Sequence, residues 1–104
     1  MRTTGSRPTR LDDGARVVLK VGSSSLTRSD GGLDLNRIDI IAGLVAGMRR
    51  RGHDVVLVSS GAVAAGLVPL GMAERPGELR LLQAAASVGQ GRLVSRWQTA
   101  LSAH

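Results

Sequence analysis

Apolar and polar positions along the chain fall into blocks separated by glycine- and serine-rich joints. Arg16-Val17-Val18-Leu19-Lys20-Val21 is short, β-branched and closed by Gly22, and Asp54-Val55-Val56-Leu57-Val58-Ser59 repeats the form before Ser60-Gly61. Runs of this length and composition, ended by glycine, predict two buried strands. Between them Ile38, Ile40, Ile41, Leu44, Val45 and Met48 recur at the three- and four-residue spacing of one helix face. Asn36 stands as the N-cap of that helix with Asp39 three residues on, Arg49-Arg50-Arg51 complements its C-terminal dipole, and Gly52 supplies a left-handed stop. Gly22-Ser23-Ser24-Ser25 and the polar stretch through Asp30-Gly31-Gly32 read as loop.

Past the second strand, Ala62-Val63-Ala64-Ala65-Gly66-Leu67 opens a helix that Pro69 ends or kinks, and residues 71–77 are rich in turn formers. From Glu78 to about Ala103 the pattern is helical, with Leu79, Leu82, Ala86, Leu93, Trp97 and Leu101 on one broad face. Gly89 and Gly91 are expected to weaken its middle by ~1 kcal/mol each relative to alanine. Strand, helix and strand in this order form a βαβ unit, so the fold class is α/β with a parallel pair of strands. Residues 1–14 are polar, hold no apolar segment of the secretory kind, and read as a disordered lead-in to a domain over 15–104.

Composition narrows the chemistry. The 104 residues include no Cys, no Phe and no Tyr, so disulfides and thiolate chemistry are excluded and the core must come from aliphatic residues and Trp97. His53 and His104 are too far apart in the chain to suggest a metal site, and none is assigned. Thirteen Arg and one Lys give a formal charge of +6, which suits an anionic ligand. Stacking aromatics and a continuous basic stripe are missing, which argues against nucleic acid as the partner. No apolar run reaches the ~20 residues that cross a bilayer, and a cytoplasmic setting is expected.

In open α/β sheets ligands bind beyond the carboxyl ends of the strands. Both strands here end in small residues. Gly22 and Ser23 follow the first, while Ser60, Gly61 and Ala62 follow the second and run into a helix. Glycine admits a close ligand, serine offers hydroxyl donors, and amides at a helix start suit a carboxylate or phosphate. Such endings are also what any turning chain uses, so neither loop is decisive alone. Lys20 adds weight, because an unpaired ammonium in an apolar strand is costly to bury. It belongs on the opposite face from Leu19 and Val21, either as a snorkelling edge lysine or as a cation for a polyphosphate. The P-loop, dinucleotide and nucleophile-elbow motifs are all missing from the chain.

Three stretches, taken together and in order, resemble the amino acid kinase family. They are Val18-Leu19-Lys20-Val21-Gly22-Ser23-Ser24-Ser25-Leu26-Thr27, then Val56-Leu57-Val58-Ser59-Ser60-Gly61-Ala62-Val63-Ala64-Ala65-Gly66, then Gln83-Ala84-Ala85-Ala86-Ser87-Val88-Gly89-Gln90. The first alone is similar to the whole family; the second and third narrow the likeness to its glutamate-phosphorylating branch. The resemblance implies the N-terminal part of a three-layer α/β sandwich. It implies ATP-dependent phosphorylation of the γ-carboxylate of L-glutamate, the first step of proline biosynthesis, with Mg²⁺ accompanying ATP and a homo-oligomeric full-length enzyme. Residue by residue, it gives Lys20 the ATP phosphates and the transferring phosphoryl group. It gives Gly22 and Ser23 the same phosphates, and Ser60, Gly61 and Ala62 the glutamate. Leu82 stands where the family commonly has lysine, which removes any ionic role there. Acetylglutamate- or aspartate-kinase-like chemistry, and a non-catalytic anion-binding module, are the alternative readings. The family's kinase domain is more than twice as long, so an incomplete sheet is expected, with weak stability or self-association.

Overall fold

The computed structural model describes residues 12–104. Most of the lead-in expected over residues 1–14 therefore lies outside the described residues. Six elements follow in order: β1 (Arg16–Val21), α1 (Ser23–Leu26), α2 (Leu35–Arg50), β2 (Asp54–Ser59), α3 (Ala62–Leu67) and α4 (Leu79–Ser102). β1 and β2 pair in parallel, with Arg16 opposite Asp54 and Val21 opposite Ser59. The register sets the two strands' carboxyl ends side by side, so the loops that follow them are neighbours. This is the α/β arrangement the β-branched runs predict.

The core lies between one face of this sheet and the helices. Val21, Leu26, Ile38, Ala42, Ala65, Leu93, Trp97 and Ala100 form one buried cluster, with Leu19 and Leu57 packed against it from the strands. Leu26 and Ile38 are its largest fully enclosed side chains, each stabilising the fold by ~1.5–3 kcal/mol through burial. The strands themselves are not buried throughout, in contrast to what their apolar runs suggest. Val18, Val56 and Val58 are 60%, 45% and 47% exposed, and they share the second face of the sheet with Arg16, Lys20 and Asp54. Side chains alternate across a strand, and among the described residues only one face is covered by helices.

Helix α2 begins earlier than Asn36 suggests. Asp34 is its N-cap, and the Asp34 carboxylate accepts the Arg37 amide at 3.0 Å. Asp and Asn are equally good caps, and Leu35 and Asn36 extend the helix by two residues that carry no periodic signal of their own. The far end is as expected, with Arg49 and Arg50 in the last turn and Gly52 at φ +90°. Residues 23–26, which read as loop, instead make the single helical turn α1. The buried Leu26 anchors it, and the Thr27 hydroxyl donates back to the Ser23 carbonyl at 2.9 Å.

Helix α4 starts and stops where the sequence predicts, but its inward face is rotated. Leu79 is 66% exposed, while Ala85, Gly89, Leu93, Trp97 and Ala100 are buried. Small residues face inward because α3 and α4 touch backbone to backbone. A methyl group on Gly66 would stand 1.9 Å from the Ala85 carbonyl oxygen, and one on Gly89 would stand 1.6 Å from that of Ala62. Gly89 is thus no weak point in the helix. It is the condition for this close crossing.

Candidate functional site

The two strand-end loops are joined by a hydrogen bond. The Ser60 amide donates to the Val21 carbonyl at 2.8 Å, continuing the ladder one step past β2 and holding Ser60 beside the start of the β1 loop. The chain then turns through Gly61, whose φ of +113° is left-handed. Side chains strongly disfavour that conformation. A methyl group at Gly61 would only touch Leu33, 3.4 Å away, so the backbone angle and not space calls for glycine here. Beyond this turn Ala62 enters α3, and the Gly61 carbonyl accepts the Ala65 amide at 3.0 Å.

Ser59 ties this loop to α4. The Trp97 indole N–H donates to Ser59 Oγ at 3.0 Å, and the Ser59 hydroxyl donates to the Ser60 carbonyl oxygen at 2.8 Å. Trp97 is 7% exposed, so its N–H needs a partner inside the protein, and the loop supplies it. The sequence pattern places Trp97 in the core and gives no sign of this second role.

These contacts enclose a hollow of about 190 Å³, lined by Ser23, Thr27, Ser60, Gly61, Ala62 and Arg75. Four of the sequence-predicted site residues, Ser23, Ser60, Gly61 and Ala62, therefore meet in one place, although they come from two loops. Arg75 is an addition to that set. It arrives from the connection between α3 and α4, where nothing in a run of turn formers marks the single arginine as a site residue. It is the one charged residue in the lining.

Lys20 and Gly22 do not line this hollow. Lys20 is exposed, on the opposite face from Leu19 and Val21 as the strand period requires. It borders a separate groove with Ser25, Arg37, Ile40 and Leu44, and no carboxylate pairs with it among the described residues. Gly22 has ordinary extended backbone (φ −80°, ψ 164°) and open space where a side chain would be. Its value is therefore room for a close ligand and not conformational freedom.

Beyond α1 the chain reverses through residues 28–32. The Arg28 guanidinium pairs with the Asp30 carboxylate, and the Gly32 amide donates to that carboxylate at 3.0 Å. The arginine, and then the amide, hold the Asp30 carboxyl below the usual range, while the same pair raises Arg28. This turn leads into Leu33, which packs beside the Gly61 loop, and it lies outside the hollow. Among the described residues no helix is long and apolar enough to cross a membrane.

The parallel βαβ unit with adjoining small-residue loops at its strand ends does not by itself name a family, and comparison with known proteins does. The sequence model of the amino acid kinase family matches residues 15–104, and the chain belongs to that family. Among curated relatives, it is 53% identical over 95 residues to the glutamate 5-kinase of Salinispora arenicola, covering 91% of this chain and 26% of the relative. It is 56% identical over 87 residues to the glutamate 5-kinase of Streptomyces coelicolor, covering 84% and 23%. With that of Thermobifida fusca the identity is 52% over 103 residues, covering 97% and 26%. The chain spans about a quarter of the length of these relatives.

Proposed function

We propose that the chain carries the acceptor-side loops of an ATP-dependent kinase for the γ-carboxylate of L-glutamate. The observation that carries this reading is the meeting of Ser23 with Ser60, Gly61 and Ala62 in one hollow beyond the carboxyl ends of two parallel strands. The identity of more than half of the aligned residues with proteins named glutamate 5-kinase supports glutamate as the substrate. In this reading Ser60 and the loop through Gly61 and Ala62 hold glutamate, and Gly22 and Ser23 face the phosphates of ATP. An oxygen of the γ-carboxylate attacks the γ-phosphorus, the bond to the β–γ bridging oxygen breaks, and ADP leaves γ-glutamyl phosphate behind. Lys20 offsets negative charge on the transferring group. Mg²⁺ belongs to the same proposal as the companion of ATP, whose phosphate charge it offsets. A cytoplasmic role at the head of proline biosynthesis, and assembly as a homo-oligomer, belong to the same proposal.

The test is a hydroxylamine trap for acyl phosphate with purified chain, ATP, Mg²⁺ and L-glutamate. Glutamate-dependent hydroxamate that is lost in Lys20→Ala would make the chain a working kinase by itself; no product, the result expected of a chain that spans a quarter of its relatives, makes it the acceptor-side part of one. A second reading, a binding module without transfer, is favoured by Lys20 bordering a groove other than the Ser60 hollow. Glutamate binding with no hydroxamate when the same residues stand in a full-length chain would decide for it.

A further inference from the structure

The hollow beside Ser60 has two walls of different chemistry. Ser23, Thr27 and Ser60 are neutral, hydroxyl-bearing residues of its lining, and Arg75 is the one charged residue there. Its guanidinium has no carboxylate within ion-pair reach among the described residues, where the two salt bridges are Arg16–Asp54 and Arg28–Asp30. Its neighbours in sequence, Glu74 and the α4 cap Glu78, leave it unpaired. A free guanidinium fork beside hydroxyls, in a hollow with no other charge, is suited to a planar carboxylate held by two parallel N–H donors.

We infer that Arg75 is the specificity-determining residue that holds the α-carboxylate of the amino acid substrate. This rests on the reading of the hollow as the acceptor site. The choice between the substrate's two carboxylates follows from chemistry. The γ-carboxylate is the nucleophile, and an arginine clamped on it would withdraw charge from the attacking oxygen. It must also face the phosphates, which the reading puts at Gly22 and Ser23. Arg75 enters on a third segment, beyond α3, and the α-carboxylate is the anionic group left for it. The arrangement selects α-amino acids over simple amines that carry a carboxylate at the other end.

Trp97 makes the inference measurable without turnover. It is the one tryptophan of the chain, and its indole N–H is bonded to Ser59 beside the hollow, so its single NMR cross-peak reports occupancy. The full chain and Arg75→Gln are titrated with L-glutamate, with L-glutamine (which lacks the γ-carboxylate) and with 4-aminobutyrate (which lacks the α-carboxylate). The expected result is about tenfold weaker binding of both L-glutamate and L-glutamine to Arg75→Gln, the effect of losing a charged hydrogen-bonded partner. Arg75→Lys should recover part of this, and 4-aminobutyrate should be indifferent to either substitution. Arg75 is exposed, and unchanged dispersion of the spectrum verifies the fold of each variant. Undiminished binding of L-glutamate to Arg75→Gln overturns the inference and leaves the acceptor-site reading standing. Loss for L-glutamate with L-glutamine unaffected overturns it in favour of a γ-carboxylate contact. A wild-type Trp97 peak that L-glutamate does not move overturns both.

Discussion

The Trp97 indole N–H and the Ser59 hydroxyl form a two-step relay that ends on the Ser60 carbonyl, with spans of 3.0 and 2.8 Å. A residue deep in α4 thereby sets the backbone of a loop whose sequence position is 38 residues away. Trp97→Phe keeps most of the buried apolar surface but leaves Ser59 Oγ without its donor. A loss of ~1–2 kcal/mol is expected from the missing hydrogen bond and the smaller ring. Urea unfolding measures it, and a loss no larger for Trp97→Phe than for an exposed control such as Gln98→Ala would remove the relay from the account.

Gly89 and Gly91, two positions apart on one helix, should respond in opposite directions to the same substitution. A methyl group on Gly91 would meet nothing within 4 Å, so Gly91→Ala should gain ~1 kcal/mol from helix propensity. At Gly89 the methyl meets the Ala62 carbonyl oxygen at 1.6 Å, and Gly89→Ala should cost about 3 kcal/mol or leave the chain unfolded. Melting temperatures of the pair settle the matter, since a gain at both would mean that α3 and α4 do not cross so closely.

Asp34→Ala removes the side-chain cap of α2, whose acceptor bonds the Arg37 amide. The expected cost is ~1 kcal/mol. Asn36→Ala, at the cap the sequence pattern favours, should cost much less, because Asn36 lies inside the helix. Chemical denaturation of the two variants compares the caps directly.

The Arg28–Asp30 pair gives a pH dependence with a definite sign. Asp30 titrates lower in the folded chain than in the unfolded one, because Arg28 and then the Gly32 amide favour its charged form. Its contribution is therefore present above the ordinary aspartate value of ~3.9 and fades as the pH falls through the lower folded value. Carboxyl NMR should place the Asp30 midpoint below that of an unpaired aspartate, and Arg28→Gln should return it upward. The pair is exposed, so its weight in global stability is small.

Lys20→Ala should leave stability within ~0.5 kcal/mol of the wild type, as expected for an exposed side chain with no ion-pair partner among the described residues, and should abolish any hydroxamate that the chain forms. A marked fall in melting temperature would instead give Lys20 a structural role on the open sheet face.

Both strands are legible to the residue, because Arg16–Val21 and Asp54–Ser59 combine β-branched runs with abrupt small-residue ends. Residues that carry no apolar period are harder to place. The serines of α1 make one helical turn that is held by Leu26 and the Thr27 hydroxyl, neither of which is a propensity signal. On α4 the large residues suggest one face, whereas Ala85, Gly89 and Ala100 face the core. A glycine is silent in a hydrophobicity pattern, and only the neighbouring backbone shows that it must be there. The same holds at the site. Ser23, Ser60, Gly61 and Ala62 are readable as strand endings, but Arg75 reaches the hollow only through the tertiary path of residues 68–78.

Gly89 meets Ala62, and Trp97 bonds Ser59, from points about 12 Å apart along α4. The loop over residues 59–62 is thus bolted to one stiff rod at both of its ends. Tilting α4 drags the loop with it, and neither part is free to flex alone. In mechanical terms the hollow is a fixed socket and not a closing jaw. Its slow amide exchange should be set by the opening of α4, and a ligand that enters must adopt the socket's shape.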